Sequence, residues 1–258
     1  MSLKLVSLAS GSKGNCTLVL SDNTAILVDA GISYTRICKE LKDFGLTPRM
    51  IDGILITHEH SDHIKALPKL DPFTKIYAHK LTAQQLVHKL GPLKNIQDVD
   101  FYENGFMIGD IKVCPYRIPH DAVYPLAYNF KLGKAQVGVA TDIGMPTKGV
   151  LNHLKMSQVA ILEANHDIEM LKNGKYSPWL KERILGTKGH LSNDDAALIT
   201  KHLVGSEVQH LILGHLSENN NLPGLAYDTV NAVLKDSNSD IDLSVASQHS
   251  RSEVYETE

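Results

Sequence analysis

Four side chains able to ligate a metal fall within six residues of the stretch Thr57-His58-Glu59-His60-Ser61-Asp62-His63, directly behind the apolar run Ile54-Leu55-Ile56. A stiff strand end followed by a tight turn can aim imidazoles at alternate positions, and the Asp62-His63 pair, at two adjacent points. The natural reading is a pair of metal ions. The bland alternative is a chance cluster, or caps for a helix expected from Ile64. It is weak, because an accidental His-x-His-x-Asp-His is expected in fewer than about one in a hundred chains of this length.

Other strand-like runs end in the same residue types. Ile118-Pro119-His120-Asp121 and Val139-Ala140-Thr141-Asp142 are two, and Val208 to Leu213 leads into Gly214-His215-Leu216-Ser217. Alone, each is more readily a surface or capping residue; beside the cluster, each reads as a ligand. Asp29 ends a further strand, where an acid can accept a hydrogen bond from a ligand histidine and fix its tautomer. In Gly189-His190-Leu191-Ser192-Asn193-Asp194-Asp195, Ser192 and Asp195 are spaced as an N-cap and its acid three residues on, so His190 stands beside a positive helix end.

The elements that must position these groups alternate along the chain. Strands are expected at 3–9, 17–20, 25–29, 53–57, 75–78, 101–108, 111–118, 126–132, 136–140, 159–163, 208–213 and 241–246, and helices near 33–44, 64–69, 82–90, through 164–186, from 192, and before the last strand. In the first helix Ser33 reads as N-cap, Ile37, Leu41 and Phe44 as one face, and Gly45 as the stop. Strands ending in His or Asp with helices between them fit a layered α/β domain with a site along one sheet edge. The loop Ser10-Gly11-Ser12-Lys13-Gly14-Asn15 is a hairpin connection that can also face phosphate.

The 258 residues, 43% of them hydrophobic, suffice for a full core, and no linker divides them. Cys16, Cys38 and Cys114 show no Cys-x-x-Cys pairing and read as reduced core thiols, which fits a cytoplasmic protein. No segment approaches a membrane span. A net charge of -3 argues against indiscriminate adhesion to nucleic acid. A local patch must therefore meet an anionic substrate. Lys172, Lys175, Lys181, Arg183 and Lys188 face one acid, Glu182, and share their stretch with Tyr176 and the sole tryptophan, Trp179. Rings interleaved with cations suit single strands, although a solvated helix face explains the lysines equally well.

The ordered set Asp29, His-x-His-x-Asp-His, His120, Asp142 and His215 resembles the motifs of the metallo-β-lactamase superfamily over nearly the whole chain. Ala9 to Asn15, Glu163-Ala164-Asn165-His166-Asp167 and Gly189 to Asn193 resemble its YycJ family, also called WalJ or VicX, regarded as cytoplasmic nucleases with 5′-to-3′ DNA exonuclease activity. The resemblance implies a four-layered αββα sandwich, one domain over 1–258. Only 47 residues separate Asp142 from His190, too few for a β-CASP insertion. It also implies His58, His60 and His120 on one divalent metal ion, Asp62, His63 and His215 on a second, and Asp142 bridging. Zinc suits such imidazole-rich ligation, and manganese or iron is compatible.

The implied chemistry is phosphodiester hydrolysis by a metal-activated water. Asp62 orients that water or takes its proton, His190 protonates the leaving oxygen, and Asp29 supports a ligand histidine. Substrate contacts are expected from Ser12, Lys13, Asn15, Ser192, Asn193, Lys181, Arg183 and Lys188. The partner implied is nucleic acid, DNA above all, with no membrane; a homo-oligomer is compatible. The competing readings are a hydrolase of a small thioester, lactone or cyclic phosphodiester, and a non-catalytic regulatory module, which has no need to keep seven ligands.

Overall fold

Along Val159–Glu163 the side chains of Val159 and Ile161 join one apolar cluster, and those of Ala160 and Leu162 another. The period of two along a strand makes that division automatic. Burial of both faces is why such strands read as continuous apolar runs. The same split recurs at Leu211 and Leu213 against Ile212, and at Ala25 and Leu27 against Ile26 and Val28. Two sheets therefore pack face to face, each with helices on its outer side.

The computed structural model describes residues 1–98 and 105–257. Its strands are β1 (Lys4–Ala9), β2 (Cys16–Leu20), β3 (Ala25–Val28), β4 (Gly53–Leu55), β5 (Ile76–Ala78), β6 (Ile96–Asp98), β7 (Phe106–Ile108), β8 (Ile111–Arg117), β9 (Leu126–Leu132), β10 (Ala135–Ala140), β11 (Val159–Glu163), β12 (His210–Gly214), β13 (Asp242–Val245) and β14 (Tyr255–Glu256). Its helices are α1 (Tyr34–Lys42), α2 (Ser61–Ile64), α3 (Leu67–Leu70), α4 (Lys80–Leu90), α5 (Lys148–Leu154), α6 (Ile168–Asn173), α7 (Pro178–Leu185), α8 (Asn193–Leu203) and α9 (Pro223–Asp236).

One sheet has the order β14-β1-β2-β3-β4-β5-β6 and the other β13-β12-β11-β10-β9-β8-β7. The core between them holds Leu5, Ile26 and Leu55 from the first and Tyr128, Phe130, Val137 and Ile212 from the second. Ile37 and Leu41 of α1 and Leu86 of α4 cover the outer face of the first sheet. Val150 of α5, Ile199 and Leu203 of α8 and Val230 of α9 cover that of the second. This is the αββα sandwich. Among the described residues no helix is long and apolar enough to cross a membrane.

Strands β3, β4 and β5 run parallel, as do β10 to β13. Asp29 follows β3, the His58–His63 stretch follows β4, Asp142 follows β10, and His215 follows β12. These candidates thus lie at the carboxyl ends of parallel strands, where open α/β sheets leave a crevice, while His120 follows the antiparallel β8.

Local signals acted as their chemistry dictates. Ser33 caps α1 by accepting from Arg36 N, and Ser192 and Asp195 form a reciprocal capping box on α8. Four expectations need correction. The helix near 64–69 is two short ones, because Pro68 has no N–H to continue a helix and the chain restarts at Leu67. The strand at 101–108 is β7 from Phe106; its earlier part lies outside the described residues. Helix α5 and strands β6 and β14 were not anticipated. Of the thiols only Cys16 is buried, while Cys38 and Cys114 are half-buried.

Candidate metal centre

Each of four histidines has its Nδ1 occupied by the protein, which turns its Nε2 inward. His63 Nδ1 lies 2.7 Å from Asp29 Oδ2, His120 Nδ1 3.0 Å from the Gly189 carbonyl, His58 Nδ1 3.0 Å from Thr57 Oγ1, and His215 Nδ1 2.8 Å from Glu163 Oε1. These partners fix tautomer and ring orientation. His60 is the exception, with Nδ1 inward, 3.3 Å from His120 Nε2. Asp29 is itself held, accepting from Thr57 N and Thr57 Oγ1.

The loop that presents Asp62 is zipped to the first sheet. Asn15 N and Ala30 N donate to the carbonyls of Asp62 and His63. A Cβ on Gly31 would stand 1.6 Å from the Asp62 carbonyl oxygen. Only glycine lets the two strands of chain approach this closely.

Two groups of three converge: His58, His60 and His120, and Asp62, His63 and His215, with Asp142 within reach of both. The separations identify the arrangement. His63 Nε2 lies 3.4 Å from both Asp62 Oδ2 and Asp142 Oδ2, and His215 Nε2 3.5 Å from Asp62 Oδ2. Two atoms bound at 2.0–2.1 Å in a tetrahedron stand about 3.3 Å apart, so these separations match the edges of a coordination polyhedron more closely than the length of a good hydrogen bond. His58 Nε2 and Asp142 Oδ2 are buried with no hydrogen-bond partner, which a native structure seldom tolerates. The residues present therefore fit two divalent cations.

Charge leads to the same result. The ion-pair partners of Asp29, Asp62, Asp142 and Glu163 are histidines, and among the described residues no lysine or arginine pairs with them. Burial favours the neutral acid, but His215, His63 and His120 outweigh it and hold Asp142 below the ordinary carboxylate range. Burial likewise opposes protonation of His63, yet Asp142, Asp29 and Asp62 keep its imidazole well above its usual value. His215 is pushed up to about 10 despite burial, chiefly by Asp142, Asp62 and Glu163. Protons there balance the carboxylates, and cations entering must displace them.

Glu163 is the functional residue that sequence reasoning missed. It is fully buried at the end of β11, and its Oε1 lies 2.8 Å from both His190 Nδ1 and His215 Nδ1, while Oε2 accepts from Ile143 N and Leu191 N. One carboxylate thus ties His190 to His215. The signal was available: Glu163 closes a buried parallel strand between those that lead to Asp142 and His215.

Other candidates separate clearly. Asn15 Nδ2 reaches toward Asp62 Oδ2 (3.4 Å) and His63 Nε2 (3.3 Å), and Ser12 and Lys13 are exposed beside the centre. Arg183 pairs with Asp121, next to His120, whereas Lys181 Nζ is bound to the Lys172 carbonyl. Lys188 is exposed and Trp179 is 71% exposed, so the tryptophan does not anchor a helix. Ser192 and Asn193 must be corrected as substrate contacts. Ser192 Oγ serves the capping box, Asn193 forms a buried amide pair with Asn221, and both side chains are about 2% exposed.

His166 is buried beside these groups with neither ring nitrogen hydrogen-bonded, and burial lowers its pKa to about 4. An unfolded imidazole takes a proton near pH 6.5 that the folded one refuses, so stability must fall with pH across that window, by up to about 3 kcal/mol from this group. His58, His60 and His120 act in the same direction. The stabilising protonation of His63 and His215 is already complete below their unfolded pKa and does not mask the trend. Urea unfolding of chelated protein from pH 6.5 to 4 should show the loss, and His166→Gln should flatten it; an unchanged slope in the variant would count against the assignment.

Residues 9–145 match the profile of the metallo-beta-lactamase superfamily. The chain is 37% identical over 242 residues to exodeoxyribonuclease YycJ of Bacillus anthracis, covering 92% of this chain and 90% of that one. It is 36% identical over 229 residues to exodeoxyribonuclease WalJ of Streptococcus pneumoniae, covering 86% and 85%. Among solved structures, the metallo-beta-lactamase fold protein YhfI from Bacillus subtilis superposes over 100% of both chains with a TM-score of 0.74 at 18% identity, a likeness of fold.

Proposed function

The chain belongs to the metallo-β-lactamase superfamily, in the branch that holds the YycJ and WalJ exodeoxyribonucleases, and from that membership we propose a metal-dependent exodeoxyribonuclease that degrades DNA in the 5′-to-3′ direction. The observation that carries the reading is the converging ligand set His58, His60, His120, Asp62, His63, His215 and Asp142, with two buried atoms that lack a hydrogen bond at its heart. Zinc is the expected metal, with manganese or iron compatible with the carboxylates. The free cysteines suit a reducing compartment, so the cytoplasm is the expected location.

Bound there, two divalent ions would lower the pKa of a shared water and neutralise charge on a phosphoryl oxygen. The chain supplies the rest. Burial raises the proton affinity of Asp62, but His63 and His215 more than offset it, so its carboxylate is ionised and able to hold a cation and to orient the attacking water. His190, 14% exposed at its side chain, is held through Nδ1 by Glu163, which leaves Nε2 to donate to the leaving oxygen.

The test is turnover of end-labelled single- and double-stranded DNA and RNA by zinc- or manganese-reconstituted protein, beside bis-p-nitrophenyl phosphate and a thioester. Stepwise release of nucleotides from the 5′ end of DNA is expected. Thioester hydrolysis with intact DNA would overturn the reading in favour of a small-ester hydrolase.

A further inference from the structure

A cavity of about 690 Å³ opens directly beside Asp62, and three lysines from separate elements converge on it. Lys13 comes from the β1–β2 loop, Lys65 follows α2, and Lys89 lies in the last turn of α4. Lys89 is oriented by a 2.9 Å hydrogen bond to the Glu59 carbonyl, and Lys13 is steadied by an ion pair with Glu218. Lys65 is exposed and meets no carboxylate among the described residues. In a protein of net charge -3 the cavity therefore keeps positive charge that the fold does not consume.

Ammonium groups are compact, strongly hydrated point charges with three donors each, suited to a phosphate rather than to a planar carboxylate. A phosphomonoester carries up to two charges at neutral pH, because its second pKa is about 6, whereas an internal phosphodiester carries one. The hydroxyls of Ser12 and Ser61 offer further donors on the same wall, and Ile64 and Leu90 give apolar surface for a sugar or base. The volume lies within the range of small-ligand sites.

We propose that this cavity binds the terminal phosphomonoester of a DNA strand, seating the end nucleotide beside the metal centre. The assignment rests on the nuclease reading and specifies its substrate as phosphate-terminated DNA.

Binding decides it independently of turnover. The metal-loaded full chain is titrated by fluorescence anisotropy with one labelled oligonucleotide carrying a 5′-phosphate, a 3′-phosphate or neither, its terminal linkages made resistant by phosphorothioate. One phosphorylated end should bind about tenfold more tightly than the unphosphorylated strand, the equivalent of one charge-assisted hydrogen bond. The favoured end identifies the source of the phosphate. In Lys65→Ala the advantage should shrink, and in Lys65→Ala/Lys89→Ala it should vanish. Lys65→Ala alters an exposed side chain and guards against a folding defect from loss of the Lys89 contact. Equal binding of all three strands, an advantage that survives both variants, or no binding at all overturns the proposal. Hydrolysis of unmodified DNA is scored separately, so failure of the nuclease reading would appear there and not in the binding ratio.

Discussion

Asp142→Ala should lose phosphodiesterase activity by more than about 100-fold, the upper end of what loss of a mere outer partner costs, and should no longer hold two equivalents of metal. Among the described residues Asp142 is the carboxylate placed to face both halves of the centre: its Oδ2 is 3.4 Å from His63 Nε2, and its Oδ1 is 3.7 Å from His120 Nε2 and 4.0 Å from His58 Nε2. Without it, two cations would repel each other with no shared anionic ligand. The fold should survive, since no strand hydrogen bond or apolar contact depends on this carboxylate. Elemental analysis after gentle desalting, with bis-p-nitrophenyl phosphate turnover alongside, checks both parts. Asp142→Asn, which keeps the shape and tolerates the same backbone, guards against a folding defect in the alanine variant. Near-parental turnover with two bound equivalents would sink the bridging role.

Glu163→Gln is expected to cut DNA hydrolysis by about 10²–10⁴-fold, the usual contribution of a general acid, because an amide keeps one accepting oxygen for either the two histidines or the N–H groups of Ile143 and Leu191, and turns its NH₂ on the other pair of donors. The informative comparison is between substrates. The p-nitrophenolate ion leaves without a proton, whereas the alkoxide of a DNA strand needs one. Loss of the His190 arrangement should therefore weigh far more on DNA than on bis-p-nitrophenyl phosphate, and His190→Ala should repeat the pattern. Equal losses on both substrates would mean that Glu163 acts through the ligand His215 alone.

The contrast between Glu163 and the ligands shows what was legible in the sequence. His58, His60, Asp62 and His63 stand out because four rare side chains crowd one turn behind an apolar strand, and Asp142 and His215 follow because each interrupts a buried run at its end. Glu163 belongs to such a run, and its role appears only when β11 is seen between β10 and β12. Ser192 and Asn193 mislead for the opposite reason. Polar residues beside a catalytic histidine read as substrate contacts until folding shows that a helix start and a buried amide pair consume them. β14 escaped notice because a two-residue strand has no periodicity; its pairing with β1 is a long-range fact. The αββα layering itself came from family resemblance, since alternating strands and helices fit several sheet orders.

Of the four non-glycine residues with positive φ among those described, three are Asp29 (φ 62), Asp142 (φ 60) and His215 (φ 56). A side chain with a Cβ costs roughly 1–2 kcal/mol in that conformation, so the three together set aside an appreciable part of the 5–15 kcal/mol that typically separates a folded domain from its unfolded chain. Evolution has accepted that loss where a carboxylate or imidazole had to leave a strand end at a sharp angle. For protein engineering this makes heat resistance a treacherous selection. Glycine at any of the three positions relieves the backbone, so a screen of metal-free protein for thermal tolerance can enrich the substitutions that dismantle the centre. Stabilised variants of this enzyme should be sought away from the strand ends, and scored with metal present.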